Sequence, residues 1–70
     1  MGVNEFIRYL QDKELSPTMD NEKRWVYVYS YLNDYRRPVG KIRTCEVSDL
    51  TDPEEFVVSC TLKAIWDERI

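Results

Sequence analysis

Trp25-Val26-Tyr27-Val28-Tyr29-Ser30-Tyr31-Leu32 is the stretch on which the fold turns. Its β-branched and aromatic content is dense, and such side chains suit a pleated surface. A strand over residues 23–32 follows. Alternation then separates two faces. Trp25, Tyr27, Tyr29 and Tyr31 point one way, and Val26, Val28, Ser30 and Leu32 the other. Trp25, Val28, Tyr29, Leu32 and Tyr35 also match a helical stripe, but propensity favours the strand.

Working toward the C-terminus, Asn33-Asp34-Tyr35-Arg36-Arg37-Pro38 is a connection rich in turn formers. Residues 39–48 read as a second strand, opened by Gly40. Lys41, Arg43, Cys45 and Val47 share one side of it, and Ile42, Thr44, Glu46 and Ser48 the other. Residues 49–55 form a break. Within it, Asp52-Pro53-Glu54-Glu55 carries the marks of a helix start: a cap, a proline at the first position and acids in the first turn. Phe56, Val58, Cys60, Leu62, Ala64 and Trp66 then alternate with mostly polar residues. As a helix they would spread around most of the circumference; as a strand they line one face. The alternation predicts one helical turn at 52–55 and then a strand over 56–66. A hairpin folded about Asp52-Pro53 sets Val47 against Val58 and Cys45 against Cys60, an apolar pairing that favours this register.

Toward the N-terminus, Ser16-Pro17-Thr18-Met19-Asp20-Asn21-Glu22 reads as a loop. Before it, Val3, Phe6, Ile7 and Leu10 fall on one face of an amphipathic helix over residues 3–14. Asn4 is its candidate N-cap, and Pro17 disfavours helix at Ser16. The segment from Phe6-Ile7-Arg8-Tyr9-Leu10 to Leu15-Ser16-Pro17-Thr18 resembles the opening of the core-binding domain of tyrosine recombinases. That resemblance implies a further helix after the Leu-Ser-Pro-Thr turn and a basic, helical domain. Here the next segment is rich in tyrosine and valine, and the chain is acidic. No recombinase active-site position carries over. The residues themselves give an α+β fold: an N-terminal helix packed on a three-stranded antiparallel β-meander, as a single small domain over residues 1–70.

Composition narrows the function. The 70 residues are 43% hydrophobic and 33% charged. That composition is globular rather than disordered. So short a chain buries a small core, and association with a second copy would enlarge it. No apolar run is long enough for a membrane span and no leader pattern is visible, so a cytoplasmic setting is the expectation. The net charge of −3 is unevenly spread. Residues 24–43 hold five bases (Arg24, Arg36, Arg37, Lys41, Arg43) against one acid, Asp34, between two acidic flanks.

Catalytic chemistry has little to stand on. Histidine is absent, and the only glycines are Gly2 and Gly40. Neither the usual general base nor a Gly-rich phosphate loop is therefore present. Two cysteines without histidine do not complete a tetrahedral zinc site. Cys45 and Cys60 read instead as small buried hydrophobes. The expectation is therefore a non-enzymatic chain with no catalytic residue, cofactor or metal. Trp25, Tyr27, Tyr29 and Tyr31 stand out. A sheet covered on one side by a single helix has a second face, and large amphipathic rings carry binding energy at interfaces. The alternative is that these rings are core. Arg36, Arg37 and Lys41, or the acidic 49–55 turn, would supply steering charge. The reading is a protein-binding module: an inhibitor, adaptor or regulatory protein of the kind that small accessory or phage-encoded proteins supply, with self-association into a homodimer left open. The alternative is nucleic acid bound by the Tyr/Arg-rich 24–43 segment.

Overall fold

The computed structural model describes residues 1–69, with side chains described through Asp67. The elements run α1 (Val3–Asp12), β1 (Leu15–Met19), β2 (Trp25–Ser30), β3 (Gly40–Arg43) and α2 (Pro53–Arg69). Short 3-10 segments occupy Tyr31–Asn33 and Thr44–Asp49. The sheet is an antiparallel meander in the order β1-β2-β3. The α+β class, the N-terminal helix and the three-stranded meander are as the sequence predicts.

Which residues form the meander differs from that prediction. Residues 16–22 are not all loop, because Leu15–Met19 forms β1. Leu15 pairs with Ser30 and Met19 with Val26. The residue before a proline is pushed to extended backbone, so Ser16-Pro17 suits a strand as well as a turn. A proline also belongs on an edge strand, where β1 lies. The turn itself is confined to residues 20–24. Asp20 Oδ1 accepts from the Arg24 amide at 2.7 Å and the Trp25 amide at 3.2 Å, and Lys23 turns the chain with φ 59°. The helix before β1 stops at Asp12 rather than Glu14, since Glu14 adopts φ 64° and reverses the chain. Gly2, not Asn4, is at its N-cap position.

The second predicted strand is shorter than residues 39–48. Only Gly40–Arg43 pairs with β2, and Thr44–Asp49 coils into 3-10 turns that bury Val47. The predicted strand over 56–66 is instead helix α2, and the Val47/Val58 and Cys45/Cys60 pairings do not form. Asp52 Oδ1 accepts from the Glu55 amide at 3.2 Å. The helix-start signal is therefore real, and the helix simply continues.

The reason lies in layer packing. A sheet must bury its apolar face against another layer. Helix α1 offers only 10 residues for this. Leu15, Val26, Val28 and Ile42 form the buried face. As a helix, the last segment sets Phe56, Cys60 and Ala64, spaced four apart, against that face. Small residues let it come close. A methyl group on Gly40 would sit 2.5 Å from Cys60 Sγ and 3.3 Å from Phe56 Cζ. Phe56 also meets Phe6 of α1, with ring centroids 5.6 Å apart and planes tilted by 56°. Offset and tilted ring pairs of this kind are the favoured ones. Phe6, Leu10, Val39 and Val47 complete the core beneath both helices.

Candidate protein-binding surfaces

Alternation along β2 sends Val26, Val28 and Ser30 inward, all buried, and leaves Trp25, Tyr27 and Tyr29 half-buried on the opposite face. The sheet register then builds that open face row by row. Tyr29 stands opposite Ser16, Tyr27 between Thr18 and Lys41, and Trp25 opposite Arg43. Trp25 and Tyr27 stack with centroids 6.3 Å apart and planes 25° from parallel. The Lys41 Nζ and the Arg43 Cζ each lie 5.1 Å from the Trp25 ring centre. Exposed cation–π contacts of this kind contribute about 0.5–1 kcal/mol each. Trp25 thus packs beside Tyr27 and under two cationic neighbours, which accounts for the partial burial of Trp25 and Tyr27 on an uncovered face.

Tyr31 leaves this row. The strand ends at Ser30, whose Oγ accepts from the Leu32 amide at 3.1 Å and starts a 3-10 turn. Tyr31 therefore joins Tyr35, Arg36 and Arg37 on the β2–β3 connection, where all four are exposed. Asp34 and Tyr35 adopt φ of 58° and 57°. This left-handed conformation strains a bulky residue such as tyrosine. Buried Asn33 anchors the connection, its Nδ2 donating to the Arg37 carbonyl at 3.2 Å. Arg36 approaches Asp34 at 3.8 Å with both side chains solvated. A pair so exposed adds little. The predicted contact residues accordingly fall into two groups: Trp25, Tyr27, Tyr29 and Lys41 on the sheet, and Tyr31, Arg36 and Arg37 on the loop.

A further surface belongs to α2. Val58, Leu62, Ile65 and Trp66 recur at intervals of four, three and one, so they share the side away from Cys60 and Ala64. Their exposures are 51%, 61%, 40% and 64%. Glu54 and Glu55 continue the same side one turn earlier and are exposed. Reading the segment as a strand hides this stripe. The signal is nonetheless present in the Asp52-Pro53-Glu54-Glu55 start and in apolar residues around the full circumference.

Neither cysteine pairs, and their environments differ. Cys60 is buried under the sheet, and burial pushes its thiol from 9.0 up to about 11. Cys45 is exposed, which corrects the expectation that both are core residues. Among the described residues no three His, Cys, Asp or Glu side chains gather where they could hold a metal ion. Among them also, no helix is long and apolar enough to cross a membrane. Comparison with family models, with curated proteins and with solved structures yields no match for this chain.

Proposed function

We propose that the chain is a small, non-enzymatic protein-binding module of the inhibitor, adaptor or regulatory kind. The observation that supports this most strongly is the outer side of α2. Four large apolar side chains lie there in one stripe, each 40–64% exposed, beside a described core of only ten buried hydrophobic residues. Single exposed apolar residues are ordinary, but a contiguous row rimmed by charge marks an interaction surface. The aromatic face of the sheet and the Tyr31/Tyr35/Arg36/Arg37 loop add residue types enriched at interfaces. Strain at Tyr35 is consistent with a loop held in shape for contact.

The nucleic-acid alternative draws on the same basic 24–43 segment. Against it, Trp25 is already occupied by Tyr27, Lys41 and Arg43. That leaves less of its ring for a base to stack on.

The test compares three tagged proteins as bait in extract of the source cells: wild type, Leu62→Glu/Trp66→Glu, and Lys41→Glu/Arg43→Glu. Wild type should retain a stoichiometric protein partner. The α2 double variant should lose it while keeping its melting curve, because both positions are solvated. Equal recovery by wild type and the α2 variant would refute the assignment to α2. Retention of nucleic acid that weakens steeply with salt would favour the alternative instead.

A further inference from the structure

The chain carries two unpartnered surfaces of complementary character on opposite layers. Phe56, Cys60 and Ala64 fasten α2 to the inner face of the sheet, so the apolar stripe faces away from it. Trp25, Tyr27 and Tyr29 lie on the far side of the same sheet, with Lys41 and Arg43 among them. The domain between is thin, its shortest Cα extent being 17 Å.

Charge distinguishes the two surfaces. The α2 side reads Glu54 and Glu55, then Val58, Leu62, Ile65 and Trp66, with Lys63 at the edge of the groove that Leu62, Ile65 and Trp66 line: acid, then an apolar stretch flanked by one cation. The paired rows of the open sheet face hold Ser16, Thr18, Trp25, Tyr27, Tyr29, Lys41 and Arg43, with two cations and no acid. We propose that the occupant of the α2 stripe is a second copy of this chain, presenting the open face of its sheet. This rests on the protein-binding reading of α2 and names the partner. Glu54 and Glu55 would lie near its Lys41 and Arg43, beside Trp25, and Leu62 and Trp66, about 10–16 Å further along the helix, against the Tyr29 end of its ring row.

Pairing of α2 with α2 across a two-fold axis would cover the same stripe. It would offer the acids Lys63 as their one described cation and leave both aromatic faces open, whereas the head-to-tail contact sets them against two cations and covers the rings, and so is favoured. Such a contact uses different surfaces on the two copies. Because they lie on opposite layers, it does not close at two copies but adds further ones, into a ring or an open series. Area sets the strength. At the exposures given, the four apolar side chains display about 400 Å², so the contact hides about 800–1,000 Å² in total. That exceeds most lattice contacts and falls short of a standard stable interface, so assembly is weak and concentration-dependent.

The test is sedimentation velocity on the full chain from roughly 10 μM to 1 mM, in low and high salt. Mass should rise past the dimer with concentration and fall back as salt screens the acid–cation pairs. Leu62→Glu/Trp66→Glu and Lys41→Glu/Arg43→Glu should each be monomeric alone. Mixed, they should form a heterodimer that stops at two copies, since one retains only the sheet surface and the other only the α2 surface. The milder Lys41→Gln/Arg43→Gln serves if charge reversal lowers the melting temperature. Self-association of the sheet variant alone would overturn the proposal in favour of α2–α2 pairing. Monomers at every concentration would overturn it as well, and loss of a captured partner by the α2 variant would then leave the binding function standing.

Discussion

Gly40→Ala tests the contact that holds α2 on the sheet. Gly40 has no positive φ, so alanine meets no backbone strain there. In a strand with open space above it, the change would stabilise the protein by about 0.4–1 kcal/mol through the unfolded chain. Here the added methyl would centre 2.5 Å from Cys60 Sγ and 3.3 Å from Phe56 Cζ. Apolar contacts settle near about 3.5–4.0 Å, so the sulfur must move by about 1 Å or more. Cys60 is buried on a helix that also carries Phe56 and Ala64, so retreat at one position loosens the others. Overpacking of this kind costs about 1–3 kcal/mol. Set against the gain through the unfolded chain, this leaves a net loss of about 1 kcal/mol, which should lower the melting temperature by about 4–8 °C in a domain this small. Chemical denaturation followed by circular dichroism measures it. Cys60→Ala provides the control, because it removes the sulfur. In that background Gly40→Ala should be close to neutral, a coupling of about 1 kcal/mol. A stabilising Gly40→Ala, or an equal cost in both backgrounds, would refute the packing of α2 on β3.

Two further outcomes follow from the same structure. Burial pushes the Cys60 thiol from its ordinary 9.0, the value expected in the unfolded chain, up to about 11 in the folded protein. Between those values the folded state keeps a proton that the unfolded state has lost. Stability is therefore full below the unfolded value and falls as pH rises toward the folded one, by about 2–3 kcal/mol at most. Cys60→Ala should flatten that part of the pH profile, and native alkylation should modify Cys45 long before Cys60; equal rates would contradict the burial. Asp20→Ala deletes the acceptor for the Arg24 and Trp25 amides. It should cost about 1 kcal/mol, with faster hydrogen exchange at Arg24; an unchanged exchange rate would show that the turn is held otherwise.

What was legible of the sheet, β2 and the start of β3, was legible because its causes are local. Tyr27 and Tyr29 alternate with Val26 and Val28, and the pleat alone turns the valines inward once one face is buried. The turn at Asp20 is likewise made by a side chain within reach of its own stretch of backbone. The first helix needed only its helical spacing. The predicted contact residues on β2 and β3 fall on the open face for the same reason as the tyrosines. Tyr31 departs from them because the Ser30 hydroxyl bonds the Leu32 amide and coils the chain one residue earlier than alternation allows.

The last segment shows where local information runs out. Phe56 to Trp66 alternates well enough for a strand and caps well enough for a helix, since its apolar residues occupy both i+2 and i+4 positions. What decides between them lies far away in the chain. The slot beside β2 is filled by Leu15–Met19, the inner face of the sheet needs more cover than α1 gives, and Gly40 leaves room for Cys60 to approach. The sequence by itself therefore determined the class of the fold, the faces of β2 and the absence of histidine. Only the tertiary structure decided that the C-terminal segment is a helix with an uncovered apolar side, because burial depends on which surfaces the rest of the chain leaves open.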